Sequence, residues 1–140
     1  MNIEIIPHKG LSDLPFGINP EQAIVLLGRP DLVEKESEEE SGFHLYVQVF
    51  ESLGLSLFYN SGENELLRAM ETVNKKMILW GVQVFDLNET ALLELLKNNG
   101  EPSPEKEREA WGESRISSPH HGMDFYFENG KMNAIFWEAA

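Results

Sequence analysis

The chain has no cysteine. Disulfides, thiolate metal sites and cysteine nucleophiles are therefore excluded, and the absence fits a reducing compartment. Nor is there an apolar run approaching the ~20 residues of a membrane-spanning helix. The opening Met1-Asn2-Ile3-Glu4-Ile5-Ile6 has neither a basic region nor a small-residue cleavage site. No secretory signal is expected, and the expected location is the cytoplasm. Basic residues are scarce: 11 Lys and Arg stand against 24 Asp and Glu, a formal net charge of −13. That sign disfavours nucleic acid and anionic membrane as partners, because both repel it. Residues 1–70 hold 4 basic and 12 acidic residues and residues 71–140 hold 7 and 12, so neither half is a basic arm.

What is present is a globular composition. Hydrophobic residues make up 41% of the 140, enough to exclude wholesale disorder. Ile3 to Ile6, ahead of Pro7, Lys9 and Gly10, reads as a short strand ending in a turn. Asn19 is an N-cap, Pro20 suits the first helical position, and Gln22 follows three residues after the cap. Ala23, Ile24, Leu26 and Leu27 then make a helical face, and Gly28 and Pro30 end it, so a helix is expected over Pro20–Leu27. The acidic block Glu34-Lys35-Glu36-Ser37-Glu38-Glu39-Glu40 reads as a solvated loop, with recognition of a basic partner as its functional alternative.

Phe43–Phe50 and Gly54–Tyr59 are rich in strand formers. A turn at Asn60-Ser61-Gly62-Glu63 leads to a third strand near Leu66–Val73, for which helix is the rival reading. Asp86 or Asn88 caps a second helix bearing Leu92, Leu93, Leu95 and Leu96, which Asn98-Asn99-Gly100 terminates. Residues 101–113 read as a polar loop with one helical turn, and Arg115–Ser118 as a short strand. Gly122 to Phe127 is a strand, turned at Asn129-Gly130 into a last one through Ala134–Trp137.

The two halves repeat. Gly54-Leu-Ser-Leu-Phe-Tyr-Asn-Ser-Gly-Glu matches Gly122-Met-Asp-Phe-Tyr-Phe-Glu-Asn-Gly-Lys at a constant offset of 68. Phe16–Asn19 aligns with Phe85–Asn88, and Gly28-Arg29-Pro30 with Gly100-Glu101-Pro102. The expected fold is α+β: one domain, 1–140, of two tandem units of about 1–75 and 76–140, each a short helix on antiparallel strands, sharing one sheet and core. Neither half of ~70 residues buries enough surface to be secure alone.

The stretch Phe16–Pro30, with its glycine, helix cap and Leu-Gly-x-Pro stop, resembles the signature of small α+β repeat domains. It is similar to the BamE-like outer-membrane assembly lipoproteins, the tandem-repeat β-lactamase inhibitory protein and the phagosome assembly factor repeats. The second copy departs from it, with Asp86 at the glycine and Asn98–Pro102 in place of Leu-Gly-x-Pro. The resemblance implies a helix-on-sheet repeat and an inhibitor-like role. It carries over no functional residue, and the lipoprotein's lipidated cysteine and the inhibitor's disulfides have no counterpart here.

No nucleophile elbow, phosphate loop, dinucleotide fingerprint, zinc-protease helix or calcium loop occurs. Ser117, Ser118 and His120 bring a hydroxyl and an imidazole close in sequence. A triad also needs an orienting acid and an oxyanion hole, which local spacing does not supply. Adjacent His120 and His121 lack a carboxylate at ligand spacing, so no metal site is assigned. No catalytic residue and no cofactor are expected.

The aromatic residues are first of all sheet residues. Two helices cover only one face of such a sheet, which leaves the other as a band of aromatic and polar side chains. Strand alternation puts Leu57, Tyr59, Phe125 and Phe127 under the helices and Phe58, Tyr126 and Asp124 on the opposite face. The expected function is a non-enzymatic binding protein, of inhibitor or immunity type, for a basic protein partner. Its candidate binding residues are Tyr126, Phe58, Asp124, Glu38, Glu39 and Glu40. The alternative is a small-molecule-binding protein or enzyme with a pocket between sheet and helices near His44, His120 or His121. A third reading buries the free face in a homodimer.

Overall fold

The computed structural model describes residues 3–38, 43–60 and 65–140. The fold is α+β with mostly antiparallel sheets. In chain order the elements are β1 (Glu4–Ile6), β2 (Gly10–Leu11), β3 (Leu14–Pro15), α1 (Pro20–Leu27), β4 (Leu32–Glu38), β5 (Phe43–Phe50), β6 (Leu55–Asn60), β7 (Leu66–Thr72), β8 (Ile78–Leu79), β9 (Val82–Gln83), α2 (Glu89–Asn98), β10 (Glu105–Arg108), β11 (Glu113–Ser118), β12 (Met123–Glu128) and β13 (Lys131–Glu138).

Helix α1 begins where Asn19 and Gln22 satisfy each other's backbone. The Gln22 N–H donates to Asn19 Oδ1 at 2.8 Å and the Asn19 N–H to Gln22 Oε1 at 2.9 Å, a capping box. Gly28 stops the helix at φ 87°, a left-handed conformation that costs glycine little. Of the two caps open to α2, Asn88 is used: its Oδ1 accepts the Ala91 N–H at 2.8 Å. Asp86 instead closes a 3-10 turn over Val84–Asp86.

Two sheets form where one was expected. The larger has eight antiparallel strands in the order β10-β11-β12-β13-β7-β6-β5-β4. The smaller, β3-β2-β1-β8-β9, takes up the opening strand, and its β1–β8 pair is parallel. Hairpin β6–β7 shifts register after Phe58, and hairpin β12–β13 after Tyr126. A 3-10 turn precedes each hairpin, over Glu51–Leu53 and Pro119–His121.

Two loops read from the sequence are strands. Leu32–Glu38 pairs along β5, so most of the acidic block is the edge strand β4. All of its described side chains are exposed, so the charges stay in solvent, which satisfies strand and solubility together. Glu105–Arg108 likewise pairs with β11 as the other edge. Leu66–Thr72 is strand rather than helix: Leu67, Met70 and Thr72 point inward while its backbone joins β6 to β13.

The core lies between the large sheet and a layer made by α1, α2 and the small sheet. Leu57, Tyr59, Phe125 and Phe127 are buried in it with Trp137, Ile135, Leu92, Leu96 and Ala23. The Trp137 indole N–H donates to the Gly10 carbonyl at 3.2 Å and so ties the two sheets together.

Candidate functional site

The large sheet's other face carries no helix or strand among the described residues. Register places Leu32, Val49, Ser56, Glu71, Phe136, Asp124, Ser117 and Glu105 in one row across all eight strands. The next rows hold Glu34, Val47, Phe58, Ala69 and Glu138 at one end, and Ala134, Tyr126, Arg115 and Glu107 at the other. Phe58 and Phe136 meet edge to face with centroids 5.8 Å apart. Both are half-buried, as is Tyr126. The face thus sets Phe58, Phe136 and Tyr126 among carboxylates, with Glu71 and Asp124 on either side of Phe136.

Arg115 stands among those carboxylates. Its Nη2 donates to Glu107 Oε2 at 2.7 Å, and its Nε is buried with no hydrogen-bond partner among the described residues. Burial works against its charge, but Glu107, Asp124 and Tyr126 together outweigh that and raise its pKa. Asp124 Oδ1 accepts the Ser117 hydroxyl. Two depressions flank Glu71 and Val73. One of about 420 Å³ reaches Arg115, Tyr126 and Ala134, and one of about 290 Å³ reaches Val49 and Ser56.

The structure brings Phe58, Tyr126 and Asp124 onto this face. Glu38 belongs to β4, its side chain outside the description, and Glu39 and Glu40 lie outside the described residues. Sequence reading did not single out Phe136 or Trp111. Trp111, 93% exposed with φ 70°, sits in the turn between β10 and β11. An isolated tryptophan in a polar segment was the available signal.

A second cluster gathers around Ser118, but with His121 rather than His120. Ser118 Oγ lies 2.8 Å from His121 Nδ1 and 2.8 Å from Glu101 Oε1. His121 Nε2 faces the Asn99 carbonyl at 2.9 Å, which makes that nitrogen the protonated one. Glu101 also accepts backbone N–H groups from His120 and Ser103. The acid bonds the serine itself and leaves the imidazole unoriented by a carboxylate, which is not triad geometry. Ser118 is 0% exposed, so its hydroxyl meets no substrate.

An imidazolium at His121 would complete the chain of donors through Ser118 to Glu101. Burial opposes it, and with His120 and His8 facing it His121 titrates below the ordinary histidine range. Glu101 feels burial too, but the hydrogen bonds it accepts prevail and hold its carboxyl below the usual value. The cluster is a buried polar link between the segment after α2 and the β11–β12 connection.

Between sheet and helices the structure offers a depression of about 480 Å³ at the start of α2, lined in part by Asn88, Glu89, Arg108 and Ser114. Of the carboxylates that line it, Glu89 is already engaged, accepting from Lys106 and Ser114, which lower its pKa. The His44 side chain lies outside the description, and neither His120 nor His121 lines this depression. The described residues contain no group of three or more His, Asp or Glu suited to a metal ion, and no helix long and apolar enough to cross a membrane. No protein-family model, curated protein or solved structure matches the chain.

Proposed function

We propose that the chain is a non-enzymatic protein-binding module, of inhibitor or immunity type, that acts in the cytoplasm on a basic protein partner. The observation that carries this reading is the uncovered face of the eight-stranded sheet, where Phe58, Phe136 and Tyr126 lie among carboxylates. Aromatic side chains in such a setting supply contact area, and the surrounding charge steers a partner of opposite sign. The net charge of −13 acts in the same direction at longer range.

We read the face as the product of two tandem units, about 1–75 and 76–140, within one domain. Several observations support that. The strand order of the large sheet mirrors itself about the β7–β13 pair, and each half follows a helix with four strands. The register shifts after Phe58 and Tyr126 lie 68 residues apart, the offset of the sequence repeat.

The test is capture of partner protein from the native host's lysate on immobilised chain at low and at high salt. Retention of a basic protein at low salt, reduced by Tyr126→Ala and by Phe58→Ala, is expected. Failure to retain any partner at low salt counts against the reading. Retention that neither substitution weakens removes the sheet face from it.

A further inference from the structure

Five of the seven large hydrophobic residues exposed among the described residues lie within ten positions of sequence: Ile24, Val25, Leu26, Leu32 and Val33. Val25 is 84% exposed and Leu26 54%. Helix α2 has no such surface; its outward positions are Thr90, Glu94, Lys97 and Asn98. The two edges of the sheet differ in the same way. At the β10 edge, Lys106 turns toward the helix layer and pairs with Glu89 in the first turn of α2. At the β4 edge the corresponding inward-turned position is Val33, opposite Gln48, whose side chain bonds the Pro20 carbonyl of α1. No ion pair closes that edge among the described residues, and Val33 is left 43% exposed.

Strand β4 is also unpaired along its outer side among the described residues. Its side chains alternate in chemistry. Glu34 and Glu36 point to the open face, while Val33 and Lys35 point to the helix layer, Lys35 lying over the Tyr46 ring at 5.1 Å. An extended segment laid along this edge gains backbone hydrogen bonds and places alternate residues on the two sides. On one side it meets Glu34 and Glu36, next to Leu32, and on the other Val33 and the stem of Lys35 over the Tyr46 ring. A second copy of this chain is a poor occupant, because it brings Glu34 and Glu36 against like charges and adds another −13.

We propose that the β4 edge binds an extended segment of a partner protein in which basic and apolar residues alternate, by adding it as a ninth strand to the large sheet. The inference rests on the reading of a basic protein partner. It concerns the β4 edge of the sheet, five strands from Tyr126, although Glu34 shares a row with Phe58 on the open face.

Fluorescence anisotropy with labelled peptides of about ten residues tests it on the full chain. The probes are alternating Lys and Val, alternating Glu and Val, and a block peptide with all Lys preceding all Val. The alternating Lys–Val peptide should bind about tenfold more tightly than the block peptide, and the Glu–Val peptide should not bind. Val33→Gln, and separately Glu34→Lys with Glu36→Lys, should each weaken binding about tenfold. All three positions are exposed, so melting should not change. Tyr126→Ala should leave peptide binding intact. Equal affinity for alternating and block peptides, or no binding of any peptide, overturns the edge site. Loss on Tyr126→Ala alone also overturns it, while leaving the sheet-face reading standing.

Discussion

Gly54 and Gly122 adopt one conformation, φ 60° and ψ 39° against φ 63° and ψ 38°. Each closes a 3-10 turn and donates its N–H to that turn's first residue, Glu51 at 3.0 Å and Pro119 at 3.3 Å. An added Cβ would lie 3.1 Å from the Asn74 backbone nitrogen at Gly54 and 3.1 Å from the His8 ring at Gly122. Left-handed backbone costs a side chain ~1–2 kcal/mol before any crowding. Gly54→Ala and Gly122→Ala should each destabilise by at least about that amount in denaturant melts. A neutral result at either position would show that its turn relaxes freely.

The buried cluster draws on both halves of the chain, with Leu57 and Tyr59 from one and Phe125 and Trp137 from the other. Neither half of ~70 residues has a complete core without its partner. Calorimetry should therefore show one transition, and a 1–75 fragment should fail to fold. Two resolved transitions, or a cooperatively melting fragment, contradict the shared core.

Local signals were legible wherever a few neighbouring residues decide the structure. Asn19, Pro20, Gln22 and Gly28 mark the bounds of α1. Alternation sorts Leu57 and Phe125 from Phe58 and Tyr126. The edges were not legible, because Glu34–Glu38 and Glu105–Arg108 have the composition of a solvated loop. They are strands because long-range pairing with β5 and β11 recruits them, at an edge where charge is tolerated. The small sheet was hidden for a similar reason: two-residue strands carry no periodicity. The aromatic face was legible in part, through its period of two. The Ser118–His121–Glu101 cluster was not, since Glu101 and His121 meet only through the packing of α2 against β11.

Tyr59 donates its hydroxyl to Gln48 Oε1 at 2.6 Å, and Gln48 in turn holds the Pro20 carbonyl at 3.3 Å. Both side chains are buried, and burial keeps the Tyr59 phenol un-ionised well above its ordinary range. Tyr59→Phe removes the donor and leaves the Gln48 oxygen unpaired in the core, at a cost of about 1–3 kcal/mol. Urea melts measure it. No loss of stability would mean that the glutamine finds another donor.

The Ser118 cluster sets a pH dependence. Glu101 titrates below 4.5 in the folded chain, so its contribution is full above that value and fades as pH falls through the folded pKa. His121 titrates below 6.5, so the unfolded chain takes up its proton first, and stability falls as pH drops below 6.5. Both act in one direction. Melting temperature should decline on acidification from about pH 7 to about 5. His121→Gln should flatten that limb. Glu101→Gln should lower stability at neutral pH and flatten the steeper loss below 4.5. A wild-type profile that rises toward pH 5 would reverse the assigned sign for His121.

Phe125 and Tyr126 are neighbours that point to opposite faces of β12. Phe125 is 0% exposed and packs in the cluster beneath α1 and α2. Tyr126 lies on the uncovered face, half-buried beside Ala134 and Arg115. Phe125→Ala removes a large core side chain and should cost roughly 3–5 kcal/mol, the transfer energy plus a cavity. Tyr126→Ala loses less buried surface and leaves no enclosed void, so its cost should be far smaller. Its effect should fall on partner binding, because tyrosines at such positions anchor interfaces. Paired denaturant melts and the capture experiment decide between the two roles. If Tyr126→Ala destabilises more than Phe125→Ala, the face is structural, and the binding reading loses the residue it leans on most.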